Sequence, residues 1–249
     1  MSRERRLEKE ISFDATPDQV WAAISSGPGM SIWFVPHELG PEGEGEADFG
    51  GGNTQAGQVL AREEGKRIVY GTADSPGALE FLVEGRENGG TVLRFTQSGF
   101  FDGDDWSAEY DSFDRGWNLF FHNLAQYFRY YGGLPATTLV TGSTTALEPD
   151  EVWAKFRTAL GVDPAVALGD RVRLTPDGLP PIEGEVDYLV RGVFGVRAPE
   201  GLHRFQGLGA ESGGMVNTIH YYYGAAPNRD ATTAAWQRWL LDLFPVTGS

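Results

Sequence analysis

Four histidines are the side chains best suited to moving protons near neutral pH, and their spacing excludes most of that chemistry. His37, His122, His203 and His220 fall into no HExxH or other paired pattern, so no metal centre is expected. His122 lies opposite an apolar helical face and reads as solvent-exposed. His220 stands on a strand between aromatic residues and reads as a structural imidazole in preference to a general base. No serine sits in a GxSxG elbow, and no Ser-His-Asp order can be named. The run Gly50-Gly51-Gly52 lacks both the GxxxxGK[ST] pattern and a following helix, so it reads as a loop at a sheet edge and not as a phosphate cradle. Asp102, Asp104 and Asp105 lack the spacing and distal glutamate of a calcium loop and read as a solvated turn. The chain therefore offers no nameable catalytic residue and calls for no cofactor.

Binding chemistry is better supplied. Tyr70, Glu80, Arg94 and Tyr110 in the first half, and Arg173, Glu183, Tyr188 and Arg191 in the second, could orient a ligand if they face an interior. Arg94 alternates with Val92 and Thr96 while Leu93 and Phe95 point the other way, which places Arg94 on the outer face if the bulkier set is internal. The stronger candidates for a pocket wall are aromatic: Trp33, Tyr70, Phe81, Phe95, Trp117 and Phe121. Those rings could equally fill a solid core, and both readings stand at this point.

The elements that must position them can be read from periodicity. Strand candidates in the first half are residues 6–13, 44–49, 57–63, 67–72, 79–86 and 91–97; the last two are joined by Glu87-Asn88-Gly89-Gly90, a glycine-rich hairpin turn. The second half offers 139–146, 171–175, 183–190, 193–198, 201–206 and 215–223. Each half closes on an amphipathic helix. In the first, Phe113, Trp117, Phe120, Phe121, Leu124, Phe128 and Tyr131 share one broad face, with Asn118, His122, Gln126 and Arg129 opposite. In the second, Trp236, Trp239, Leu240, Leu243 and Phe244 form a shorter stripe.

Each half also opens alike. Pro17-Asp18-Gln19-Val20-Trp21 returns as Pro149-Asp150-Glu151-Val152-Trp153, in both cases a helix start with proline and acids in the first turn. Thr16 and Gln19 fit a capping box, whereas Glu148 is a weaker cap, as in a diverged duplicate. The order in both halves is strand, short helix, strands, long apolar-faced helix, an α+β layer arrangement.

Composition sets the outer bounds. The chain has 249 residues and 41% apolar content, enough for two domains with separate cores. Its 34 glycines are about twice the usual share of ~7% and cluster between strands. A net charge of −15, with the basic residues scattered, argues against nucleic-acid partners. The charged amino terminus and the lack of any run of about 18 apolar residues argue against secretion and membrane insertion. Without cysteine there is no sign of an oxidising compartment, and a cytoplasmic location is expected.

Residues 13–21, Trp33 in a short second helix, the stretch Thr91 to Phe100 and Gly116-Trp117 opening the last helix together resemble the START-like, or birch-pollen-allergen-like, helix-grip superfamily, also called SRPBCC. Over about residues 6–131 the likeness is to the branch named after the activator of a heat-shock chaperone ATPase. The second half is similar mainly through its Pro-Asp-Glu-Val-Trp start and its Trp236 to Phe244 end. The resemblance implies tandem helix-grip domains, residues 1–135 and a shorter, diverged 136–249, each a curved antiparallel sheet around a long carboxy-terminal helix. It also implies a cavity that in many members holds an apolar or aromatic small molecule. It does not imply one activity. The leading expectation is a carrier, sensor or sequestering module for such a molecule; the alternatives are a polyketide cyclase or aromatase, and a protein-binding regulator with a chaperone partner.

Overall fold

The computed structural model describes residues 5–73, 77–87, 89–100, 106–209 and 213–245. Asp102, Asp104 and Asp105 lie outside the described residues. The chain divides into two compact units, Met1–Asp48 with Thr54–Gly133 and Phe49–Asn53 with Leu134–Ser249.

The first unit runs β1 (Arg5–Phe13), α1 (Pro17–Ile24), α2 (Gly27–Ser31), β2 (His37–Leu39), β3 (Glu44–Asp48), β4 (Thr54–Glu63), β5 (Arg67–Gly71), β6 (Ala78–Gly85), β7 (Thr91–Phe100) and α3 (Trp106–Gln126). The seven strands form one antiparallel sheet in the order β1-β7-β6-β5-β4-β3-β2. Helix α1 starts where the sequence placed it: the Gln19 N–H donates to Thr16 Oγ1 at 3.3 Å and the Thr16 N–H to Gln19 Oε1 at 2.8 Å, a complete capping box. Arg94 is exposed on the outer face, paired with Glu10 at 3.2 Å and Glu84 at 3.1 Å, while Leu93 and Phe95 are buried. Alternation thus assigns the strand faces correctly.

Four local expectations need correction. Strand β2 was not anticipated, because three residues are too few to show a period. It lies against α2 at the position of Gly27, where a Cβ would come within 2.7 Å of the His37 carbonyl oxygen, so this close backbone approach requires glycine. Trp33 stands two residues beyond the end of α2, not within it. On α3, Phe113 is 41% exposed, whereas Leu119, Asn123 and Tyr127, outside the expected stripe, are buried. Asn123 is covered because its Nδ2 donates to the Trp33 carbonyl at 3.3 Å, so the chain after α2 lies on that side of the helix. The helix ends in a π turn over Tyr127–Tyr131, which shifts the last residues away from the 3.6-residue period. His122, expected to be exposed, is partly buried.

The second unit repeats the plan with β8 (Ala136–Thr144), α4 (Pro149–Leu160), β9 (Arg171–Leu174), β10 (Ile182–Val190), β11 (Val193–Ala198), β12 (Gly201–Gly207), β13 (Met215–Tyr223) and α5 (Arg229–Leu243). Its antiparallel sheet has the order β8-β13-β12-β11-β10-β9. In both units the first strand pairs with the last, and a terminal helix packs on the sheet. The fold is α+β, in a tandem helix-grip-like arrangement. At the start of α4 the Glu151 carboxylate accepts the Glu148 N–H at 3.1 Å. Its core joins Val152, Phe156 and Leu160 of α4, Phe194, Val196 and Phe205 of the sheet, and Trp236, Trp239 and Leu240 of α5, with Phe244 at its end. Gln237 fastens α5 to the edge strand β8, accepting the Gly142 N–H at 3.1 Å and donating to its carbonyl at 2.9 Å. The last carbonyls of the helix are met by Ser143 Oγ on Phe244 at 2.6 Å and Lys155 Nζ on Leu243 at 3.1 Å. No helix among the described residues is long and apolar enough to cross a membrane.

Candidate functional site

In the first unit the sheet register brings Ile68, Phe81 and Phe95 onto one rung and Tyr70, Leu79 and Gln97 onto the next. Trp117 and Phe121 of α3 face them, and Trp33 enters from the turn after α2. Phe81 is the hub, with ring centroids 5.1 Å from Phe95, 6.2 Å from Tyr70, 6.3 Å from Trp117 and 6.4 Å from Trp33. Phe121 stacks on Trp33 and on Trp117, each at 5.6 Å. All six residues singled out from the sequence are buried and belong to this one cluster. Phe34, which the sequence reading did not single out, joins it by stacking on Trp117 at 5.4 Å.

The polar tips of these rings are held by the fold. Trp33 Nε1 donates to the Ala23 carbonyl at 2.9 Å, Trp117 Nε1 to Gln97 Oε1 at 2.6 Å and the Tyr70 hydroxyl to the Ile24 carbonyl at 2.6 Å. The ring orientations are therefore fixed from outside the cluster, leaving the apolar faces turned inward. Burial holds the Tyr70 phenol well above its ordinary range, so it stays a neutral hydroxyl.

His37 completes this interior. Its backbone N–H donates to Ser31 Oγ at 2.9 Å, and its ring meets Tyr70 edge-on at 6.0 Å. Nδ1 and Nε2 are both buried, and neither has a hydrogen-bond partner among the described residues. Desolvation lowers its pKa, so the ring is neutral at physiological pH.

The charged candidates do not converge. Glu80 pairs with Arg67, and Arg173 with Glu183, across neighbouring strands; Arg191 pairs with Asp150 at 3.4 Å. Tyr110 packs edge-on against Phe100 at 6.0 Å, and Tyr188 is partly buried. Surface ion pairs of this kind contribute little to stability, and they hold these side chains away from the aromatic cluster.

The second interior contains an arrangement that sequence reasoning missed. His203 of β12 and His220 of β13 lie directly opposite each other in register, both fully buried, with their Nδ1 atoms 2.9 Å apart. His220 Nε2 lies 3.0 Å from Thr218 Oγ1, which lies 2.8 Å from Thr141 Oγ1. Glu200 Oε1 stands 3.6 Å from His203 Nε2, beyond hydrogen-bond length but within ion-pair range, and Trp236 stacks on His220 at 4.0 Å. The carboxylate favours a proton on His203 Nε2. The His203 Nδ1 is then an acceptor for the His220 Nδ1–H, and His220 Nε2 accepts from the Thr218 hydroxyl. This gives a directed chain from a half-exposed carboxylate to the buried hydroxyls of Thr218 and Thr141. Desolvation drives both imidazole pKa values down, that of His220 furthest, while interaction with the His203 ring draws the Glu200 carboxyl below its usual range.

On the other face of this sheet Arg204 makes two parallel bonds to the Asp187 carboxylate, at 2.7 and 2.8 Å. Among the described residues no three His, Asp or Glu side chains group as a metal site. Alternation could have placed His203 and His220 on the helix-facing side, but only the strand register makes them partners.

Residues 14–129 match the family described as Activator of Hsp90 ATPase homolog 1-like protein, and the first unit is such a domain, of the SRPBCC superfamily. Among solved structures, protein BH1534 of Bacillus halodurans is 24% identical, with 51% of this chain and 99% of that chain covered and a TM-score of 0.45. The Aha1 dimer of Colwellia psychrerythraea is 19% identical over 50% of this chain and 96% of that one, with a TM-score of 0.42. DynU16, a protein of the dynemicin biosynthetic locus, is 16% identical over 96% of this chain and 97% of its own, with a TM-score of 0.44. No curated protein matches the chain.

Proposed function

We propose that the first unit binds a small apolar or aromatic molecule between its sheet and α3, as a cytoplasmic carrier, sensor or sequestering module. The observation that carries this reading is the single cluster formed by Trp33, Tyr70, Phe81, Phe95, Trp117 and Phe121, whose polar tips are tied outward. A planar guest that slides among such rings gains about 25 cal/mol for each Å² of apolar surface it removes from water, so it needs no charged anchor. Native mass spectrometry and thermal-shift measurements with aromatic polyketides, flavonoids and fatty acids test it. Stoichiometric adducts that raise the melting temperature and quench Trp33 and Trp117 fluorescence are expected. Absence of adducts and of any shift across the whole panel defeats the reading.

The family description favours a second reading, regulation of a chaperone ATPase through a protein-binding surface. Its test is capture of a purified chaperone ATPase by the full chain, followed by stimulated ATP turnover. Unchanged turnover at saturating chain removes it.

A further inference from the structure

We propose that His37 is the polar anchor of the first unit's interior and that the ligand it selects is a hydroxylated aromatic, a phenol or a close relative. This rests on the binding reading above and names its ligand class. The ring is placed by the fold and not by chance: Gly27 lets β2 approach α2, Ser31 Oγ receives the His37 N–H, and the Tyr70 ring lies against the imidazole. That places one N–H donor and one lone pair beside the aromatic cluster, both buried and both without a partner among the described residues. Buried polar atoms are ordinarily satisfied, and a neutral imidazole offers an N–H to an acceptor on one side of the ring and a lone pair to a donor on the other.

A ligand hydroxyl meets one ring nitrogen at a time, because the two point in divergent directions: its oxygen accepts the His37 N–H, and its own proton goes to a second acceptor. A carboxylate only accepts, and it would carry a charge into an aromatic interior. Arg62, the cation whose field reaches Tyr70, is already bonded to Glu64 at 2.8 Å and to the Ser25 carbonyl at 3.2 Å. The Tyr70 oxygen, which donates to Ile24, keeps a lone pair that can accept the ligand's hydroxyl proton.

The experiment titrates the full chain with three probes of similar size, 2-naphthol, 2-methylnaphthalene and 2-naphthoate, followed by tryptophan fluorescence and calorimetry. Wild type should bind 2-naphthol about tenfold more tightly than 2-methylnaphthalene. His37→Phe should abolish that preference while leaving 2-methylnaphthalene within about threefold, and His37→Gln, which retains a donor and an acceptor, should keep part of it. Equal binding of 2-naphthol and 2-methylnaphthalene by wild type overturns the anchor but leaves an apolar pocket standing. Tightest binding of 2-naphthoate overturns the ligand class. Binding of none of the three overturns the anchor, and the wider panel of polyketides, flavonoids and fatty acids then decides the reading it rests on. Should His37→Phe fail to fold, the wild-type preference and its partial retention in His37→Gln decide the matter.

Discussion

His203 and His220 face each other across β12 and β13 with their Nδ1 atoms 2.9 Å apart, sealed from solvent by the sheet and by Trp236. Two imidazoles in that position cannot both be protonated without forcing two N–H groups together, and burial opposes charging even one.

A pH dependence follows, and its sign is fixed. The pKa values of His203, His220 and His37 are all lowered in the folded chain, so near and below pH 6.5 the unfolded chain takes up more protons than the folded one. Their contribution is fully present above the unfolded value and is lost as the pH falls, by up to about 1.4 kcal/mol per pH unit for each ring. Urea unfolding at pH 7.5, 6.5 and 5.5 should show falling stability, and a double His203→Gln, His220→Gln variant should have a shallower slope. A flat wild-type profile would contradict the buried neutral pair. Glu200, whose pKa is also lowered, contributes in a separate window, because its stabilisation is lost as the pH falls through the carboxylate range.

Arg204 is 0% exposed and Asp187 4%. Asp187→Ala strands a buried guanidinium and should cost about 3–5 kcal/mol, whereas replacing both residues with apolar ones of similar size should recover much of that loss. Thermal melts followed by circular dichroism distinguish the two variants.

Gln237 pairs with both the N–H and the carbonyl of Gly142. Gln237→Ala should destabilise the second unit by about 1–3 kcal/mol. Hydrogen exchange should show the Gly142 amide losing protection more than the α5 amides; equal loss throughout would point to general loosening instead.

The two helix starts differ in strength. Thr16→Ala removes a side-chain cap and should cost about 1 kcal/mol. Glu148→Ala should cost less, because glutamate is a weaker capping residue than threonine and the half of the α4 capping box that runs from the Glu148 N–H to the Glu151 carboxylate survives the change. Denaturant midpoints of the two variants give the comparison.

Phe81 is fully buried at the centre of the aromatic cluster. Phe81→Ala should destabilise by about 3–5 kcal/mol and shift the fluorescence of Trp33 and Trp117, both of which it touches. An unchanged spectrum would mean that the ring is not in that position.

The sequence by itself determined the features that depend on neighbouring residues. Alternation separated Leu93 and Phe95 from Arg94, helical spacing found Trp236, Trp239 and Leu240, and the twin Pro-Asp starts revealed two units of one plan. It also collected six rings that the structure brings into one cluster. Only the tertiary structure decided which side chains meet across strands and between layers. His203 and His220 are partners because of a register between two strands, Asn123 is buried because the Trp33 carbonyl comes to it, and the His37 nitrogens are enclosed because a three-residue strand fits against Gly27. Local spacing sets which face a side chain occupies, since that follows from backbone dihedrals; what lies opposite follows from contacts between distant segments, which no local period encodes.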